Sequence, residues 1–378
     1  MNIFKKLRDM GDSAPRLYII ATGAGMGLQN MVWSVPGISS FFVGAASPYG
    51  TEDTVRTLGF TPSGFVKIET AVDLAITAYM RAYKPGRKAV GFGLTASVAS
   101  TTTHRGAHRI IAAIFGDDGC WTVEFEIPKG EGDEQRKIDG AVADNFGVAF
   151  IEWYFSERNG VTAKEATDLA RARILAHPYF QADGTRGTLE DIDPKKTVFF
   201  PGAYNPLHRG HTESAEACMC KLQIGTQGLA DRKLVYSTTV NPVHKASLTP
   251  AEMLQRAVMM RGKDFVLTEN DPLYVDKARK FPGAWFVMGA DSMDRMLDPK
   301  WGQPVKRMVV EMAQLGCHFL VPGRLVPMPD GSQEYMTCDM VREKHEKDLG
   351  GFYDHFHEVN FRLDISSTEL RAKAASST

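Results

Sequence analysis

Short apolar runs alternate along this chain with longer amphipathic stretches, the pattern of strands interleaved with helices. In the N-terminal half, residues 17–21 predict a strand, followed by the loop Thr22-Gly23-Ala24-Gly25-Met26-Gly27 and a helix that Val35-Pro36-Gly37 ends. Another apolar strand is expected over 41–46. Apolar positions recur at helical spacing over 71–83 (Val72, Ala75, Ile76, Tyr79), and Lys84-Pro85-Gly86 closes that helix. Residues 88–95, KAVGFGLT, read as an alternating strand, and 109–115 with 120–127 as a hairpin about Gly116-Asp117-Asp118-Gly119. A polar stretch, 129–137, precedes a helix expected over 138–154; a further helix, 162–177, opens on a capping box of Thr162 and Glu165. Residues 182–195 are acidic, glycine-bearing and proline-ended, which places a domain boundary there.

The second half continues the alternation. Val198, Phe199 and Phe200 predict a buried strand, Pro201 and Gly202 open a tight turn, and a helix is expected to begin near Thr212. Strand 233–237 leads to Asn241-Pro242-Val243-His244-Lys245. Thr249 is a natural N-cap, with Pro250 at the first helical position and Glu252 at the third, for a helix reaching Met260. Strands follow over 265–268, 284–288 and 318–321, the second ending in Gly289-Ala290-Asp291-Ser292 and the third in Pro322-Gly323-Arg324. Between Arg324 and Ile365 the charges of Arg342, Lys344 and Lys347 suggest a surface segment. Strands alternating with helices imply a parallel sheet whose ligands bind at the carboxyl ends of its strands. His208, His211, Lys245, Asp291 and Arg324 all follow such ends. The expected fold is α/β in two domains, 1–190 and 196–378, the second a doubly wound parallel sheet.

A length of 378 residues suits two cores better than one. The formal net charge of −1 offers no basic field, so neither nucleic acid nor a membrane surface is expected as a partner. Five cysteines, Cys120, Cys218, Cys220, Cys317 and Cys338, lack zinc-type spacing, and their odd number fits a reduced, cytoplasmic compartment. The first residues lack the apolar core of a leader, and no apolar run approaches membrane-spanning length.

The chemistry concentrates in residues 198–215, VFFPGAYNPLHRGHTESA. His208 and His211 form H-x-G-H at a strand-to-helix turn, a setting that suits an anion: glycine permits close backbone approach, and N–H groups at the helix start point outward. The Walker pattern G-x-x-x-x-G-K-[ST] is absent. With I-S-S-T-x-x-R at 365–371, the H-x-G-H resembles the nucleotidylyltransferase superfamily. P-x-H-K at 242–245, G-A-D-S at 289–292, Trp301 and P-G-R at 322–324 are similar to the nicotinate and nicotinamide mononucleotide adenylyltransferases, over nearly all of 197–373. Gly202 and Asn205-Pro206 match that family's G-x-F-N-P, with Tyr204 in the place of phenylalanine.

The resemblance implies a Rossmann-like domain that transfers an adenylyl group from ATP to a pyridine mononucleotide, with Mg²⁺ accompanying the triphosphate and no dedicated protein metal ligand. By the same resemblance His208, His211 and Arg371 would be catalytic. Gly202, Ala203, Tyr204, Gly210, Gly289, Asp291, Ser366, Ser367 and Thr368 would meet ATP. Asn205, Lys245, Trp301 and Arg324 would meet the mononucleotide, with Trp301 stacked on the pyridine ring. The choice between nicotinamide and nicotinate stays open. Alternatives are another phosphate acceptor on the same fold, a nucleotide-sensing scaffold, and an enzyme that first deamidates the mononucleotide.

That last alternative comes from the N-terminal half. The glycine-rich loop after the first strand, V-P-G-x-S-S-x-F-x-G at 35–44, Tyr49 and Leu58-Gly59 resemble the C-terminal domain of the CinA family, whose active members deamidate nicotinamide mononucleotide. Active members carry E-S-C-T-G-G in the first loop with serine as nucleophile. Here Thr22 or Gly23 stands at the serine position, Thr54 at the lysine position, and residues 96–103, ASVASTTT, replace a glycine-rich loop. Ser34, Ser97 and Ser100 are the other hydroxyls weighed. An amidase needs an activated nucleophile and a base, so this half is expected to be without amidase activity, retaining a ligand pocket or a surface for homo-oligomers.

Overall fold

The computed structural model describes residues 2–101, 106–158, 163–225, 231–243, 245–298, 304–327 and 332–362. The chain divides into two units. One comprises Met1–His177, Gly184–Arg186 and Thr249–Val258; the other comprises Pro178–Asp183, Gly187–Leu248 and Met259–Thr378. Both are α/β.

The first unit is built on a five-stranded sheet of order β2-β1-β3-β4-β5, with β1 Arg16–Thr22, β2 Phe42–Ala46, β3 Ala89–Ser97, β4 His108–Gly116 and β5 Gly119–Ile127. β1 runs parallel to both neighbours, and β3 to β5 form an antiparallel meander whose last two strands are the expected hairpin. The alternation read in KAVGFGLT is one of size rather than polarity. Ala89 to Ala96 are all buried. A Cβ on Gly91 or Gly93 would lie 2.1 Å from Ala75 O or 2.4 Å from Ala71 O, so these glycines let the helix Ile68–Ala82 lie directly on the strand. Phe92 and Leu94 pack with Leu28 and Ile151 in the main core. The strand is central and covered on both faces.

The helix expected over 138–154 runs Gly132–Ser156, so most of the polar stretch before it is helical. Asp133 and Glu134 suit the positive end of the helix dipole, and Lys137 pairs with Glu134 at 2.6 Å. Lys164–Ala176 is the next helix; Thr162 of its expected capping box lies outside the described residues. The box on the helix Pro250–Met259 is formed: Thr249 N donates to Glu252 Oε2 at 2.8 Å, and Glu252 N to Thr249 Oγ1 at 3.2 Å.

An eight-stranded sheet has the order β15-β12-β11-β8-β9-β10-β6-β7. Its strands are β6 Tyr179–Phe180, β7 Arg186–Gly187, β8 Thr197–Pro201, β9 Lys233–Thr239, β10 Phe265–Thr268, β11 Trp285–Val287, β12 His318–Pro322 and β15 Phe356–Val359. β13 Arg324–Pro327 and β14 Gln333–Met336 make a separate antiparallel ribbon. From β15 to β10 every pairing is parallel, and β6 joins β10 antiparallel. The chain steps from β8 to β9 and β10 on one side, then to β11, β12 and β15 on the other. The order therefore reverses between β8 and β11, and a crevice opens there at the carboxyl edge. Beneath it Phe199 stacks on Phe281 at 4.2 Å and Phe319 on Phe356 at 4.9 Å.

Two expectations need correction here. The helix after the histidine turn starts at Arg209, so His211 sits in its first turn rather than in the loop. The stretch between Arg324 and Ile365 is not merely a surface segment. It holds the ribbon, the helix Cys338–Lys344 capped by the Thr337 hydroxyl, and β15; Cys338, Val341, Leu349 and Phe356 are buried. Its apolar residues fall singly or in pairs between polar and charged ones, so no longer run announced it. No helix among the described residues is long and apolar enough to cross a membrane.

Candidate nucleotide site

β8 ends at Pro201, and the chain then turns tightly before the helix Arg209–Gly225. The turn is pinned to the next strand: Gly202 N donates to Ser237 O at 2.9 Å, and Thr238 Oγ1 donates to Gly202 O at 2.8 Å. Tyr204 takes a positive φ of 44° with its ring buried beneath the turn, and its hydroxyl donates to Phe200 O. A Cβ on Gly202 would come within 2.6 Å of that ring, which makes glycine the fitting neighbour. The phenol in place of phenylalanine is thus satisfied locally, as a buried hydroxyl must be.

The histidines follow at once. Their rings stack with centroids 3.8 Å apart, and Tyr204 meets His211 edge-on at 5.1 Å. His208 N donates to His211 Nδ1 at 3.3 Å, which leaves the proton of a neutral His211 on Nε2. Burial, then the neighbouring His208 and Arg324, pushes the pKa of His211 down to about 4. Burial and Arg324 also lower that of His208. Both rings are therefore neutral near pH 7 and can donate hydrogen bonds without the mutual repulsion of two imidazolium ions.

These residues border a cavity of about 470 Å³ at the reversal between β8 and β11. Of the residues expected to meet ATP, Gly202, Ala203, Tyr204, Gly210, Gly289 and Asp291 line it together with His208 and His211. Lys245 and Arg324, expected at the mononucleotide, also line it, and both are exposed. Asn205 stands on the same turn, exposed, but not on the cavity wall. Trp301, Ser366, Ser367, Thr368 and Arg371 lie outside the described residues. Asp291 enters on the helix Ala290–Met296, where Arg295 Nη2 approaches its Oδ2 at 2.9 Å and Arg324 Nη1 its Oδ1 at 3.6 Å.

Ser214, Tyr274, Ser292 and Arg295 also line the cavity and were not anticipated. Three of them carry a sequence signal, Ser292 as the last residue of the G-A-D-S stretch. Ser214 lies one turn after His211 on the same helix face, and Arg295 stands four residues after Asp291, the spacing of a helical ion pair. Tyr274 had none, since the helix Tyr274–Lys280 that carries it is too short for a periodic pattern. Burial, then Asp291, raises its pKa. Among the described residues, no group of three or more His, Cys, Asp or Glu side chains could hold a metal.

The first unit has its own cavity of about 350 Å³, lined by Thr22, Gly23, Tyr49, Thr54, Ser97, Ser100 and Arg136 among others. The Thr54 hydroxyl donates to Gly50 O at 3.1 Å, and Arg136 Nη2 donates to Tyr49 Oη at 3.0 Å. Tyr49 and Arg136 are the titratable side chains on its described wall. His108 is buried on β4, 3.8 Å from the Asp139 carboxylate, and does not line the cavity. Ser34 does not line it either.

Residues 199–373 match the cytidylyltransferase-like family model. A probable nicotinate-nucleotide adenylyltransferase from Trichormus variabilis is 24% identical over 198 residues, covering 46% of this chain and 83% of that protein. One of the same name from Nostoc sp. is 24% identical over 196 residues, covering 46% and 82%. Solved structures matching the N-terminal half include a competence or damage-inducible protein from Enterobacter asburiae, at 19% identity, TM-score 0.32, covering 41% of this chain and 94% of that one. A CinA superfamily protein from Escherichia coli matches at 14% identity and TM-score 0.31, covering 39% and 82%.

Proposed function

We propose that the cytidylyltransferase-like domain of residues 199–373 transfers an adenylyl group from ATP to the 5′-phosphate of nicotinate or nicotinamide mononucleotide, giving the dinucleotide and pyrophosphate. The observation that carries this reading is the stacked, neutral His208 and His211 pair at the carboxyl end of β8, beside the sheet's reversal and over a cavity bordered by Lys245 and Arg324. Both relatives are named for nicotinate nucleotide, which makes the acid the first acceptor to assay.

In the proposed reaction the mononucleotide phosphate oxygen attacks the α-phosphorus in line, and the bond to the bridging oxygen of pyrophosphate breaks. Such a transfer needs little covalent help; positioning and neutralising charge lower most of the barrier. His211 Nε2–H and His208 donate to the phosphate oxygens on which charge grows. Lys245 and Arg324 attract the anionic ends of the two substrates. Asp291 accepts from the nucleoside of ATP, and Mg²⁺ arrives as part of the MgATP substrate. Ser366, Ser367, Thr368 and Arg371 are assigned to the β- and γ-phosphates and Trp301 to the pyridine ring. Asn205 is assigned to the mononucleotide side of the turn.

The first unit is proposed to lack amidase activity, since its cavity pairs Thr22 with no general base among the described wall residues. Incubating the full chain with MgATP and each mononucleotide, with products identified by mass, tests the transfer. Dinucleotide from either acceptor supports it, and none from both removes it.

A further inference from the structure

Two arginines meet Asp291 in unlike ways. Arg295 donates through Nη2 to Oδ2 at 2.9 Å and to Ser292 Oγ at 3.1 Å, and through Nε to the Asp291 carbonyl at 3.2 Å. These bonds tie its fork to the first turn of its own helix. Arg324 arrives from the start of β13 and comes only to 3.6 Å of Oδ1, beyond hydrogen-bond distance, with its side chain 51% exposed. Oδ1 itself is buried and accepts no hydrogen bond from the described residues. A Cβ on Gly289 would lie 2.8 Å from Oδ1, so glycine there leaves room for the carboxylate in this rotamer. Asp291, Arg295 and Arg324 all border the cavity.

A buried carboxylate oxygen is unfavourable without a donor, and one that borders a cavity can take that donor from water or from a bound ligand. An aspartate on a helix surface would otherwise sample several rotamers. We propose that Arg295 is a positioning residue for nucleotide binding: by holding Oδ2 it fixes Asp291 so that Oδ1 accepts from an O–H or N–H of the nucleoside triphosphate. Arg324 is the displaceable neighbour, leaving Oδ1 for the phosphates of the same ligand. The proposal rests on the adenylyl-transfer reading only in naming the ligand. Its rival is a plain helix-surface ion pair between residues four apart, which would act on stability and not on binding.

The test is MgATP affinity of the full chain by calorimetry, which needs no turnover. Arg295→Ala is expected to weaken MgATP about tenfold, and Arg295→Lys to recover part of that loss. In an Asp291→Asn background, Arg295→Ala should change affinity by less than about twofold, because its effect passes through the carboxylate. Arg324→Ala should weaken binding in both backgrounds. Equal weakening by Arg295→Ala in both backgrounds, or none in either, overturns the proposal. If Arg295→Ala unfolds, Arg295→Gln and Arg295→Lys carry the same cycle. Coupled MgATP binding without dinucleotide formation would defeat the adenylyl-transfer reading and leave this proposal standing. Dinucleotide formation without the coupling would do the reverse.

Discussion

In the proposed reaction, His211→Ala would remove one hydrogen bond to the reacting phosphate. The His208 backbone N–H donates to Nδ1 at 3.3 Å, so the neutral ring has one proton to offer, and it is on Nε2. With the pKa held down to about 4, that donor is in place throughout the neutral range before substrate arrives. Removing one preorganised donor to developing charge lowers kcat by on the order of 10²–10³, or about 2.7–4 kcal/mol. The fold should not suffer: His211 is only partly buried, it lies in a first helical turn, and alanine is the better helix former there. The assay is continuous pyrophosphate release under saturating MgATP and mononucleotide, beside a thermal melt of the same preparation. A well-folded His211→Ala protein with kcat within about threefold of wild type would refute the donor role, because that loss is far below what one such bond supplies.

Further outcomes concern other parts of the chain. Trp301→Ala should raise KM for the mononucleotide, with a stacking loss of about 1–3 kcal/mol, and leave KM for ATP nearly unchanged; equal loss for both substrates would remove the stacking role. Acid should loosen the sheet through His318 and His357, whose Nδ1 and Nε2 lie 3.1 Å apart against Trp285. Burial, then like charge from His355 and Arg232, pushes the pKa of His318 down to about 4, and burial, then His318, Arg342, His355 and Lys221, does the same to His357. The unfolded chain takes up these protons first, so stability is full above pH 6.5 and falls as pH drops from there toward about 4. Melting temperature should follow that window, and His357→Gln should flatten it. The full chain should release no ammonia from nicotinamide mononucleotide above a buffer control. Ammonia that Thr22→Ala, Ser34→Ala, Ser97→Ala or Ser100→Ala abolishes would make the first unit an amidase.

The strands that carry the candidate site are legible in the sequence because each is a short apolar run that breaks into a glycine or proline turn, and the polar residues just beyond the break fall on one edge of a parallel sheet. That logic places His208, Asp291 and Arg324 together. It fails at Tyr274, which reaches the cavity from a short helix before β11, and at β15, whose apolar residues are scattered among charges. Helix starts are misjudged wherever the first turns are polar. Arg209 and Gly132 both begin helices earlier than apolar spacing suggests: Asp133 and Glu134 suit a helix N-terminus without marking a buried face, and Arg209-Gly210-His211 holds no apolar residue that could mark one. In β3 the glycines of KAVGFGLT look like gaps in an alternating strand, yet they are the contact surface for a helix.

The central claim, adenylyl transfer at the His208 and His211 pair, is tested most directly by following the α-phosphorus. The full chain is given MgATP labelled at the α-position with nicotinate or nicotinamide mononucleotide, and the products are separated. The label should appear in the dinucleotide, the pyrophosphate should be unlabelled, and His211→Ala should slow both products together. Unlabelled dinucleotide, label released only as AMP, or no product from either mononucleotide would contradict the claim.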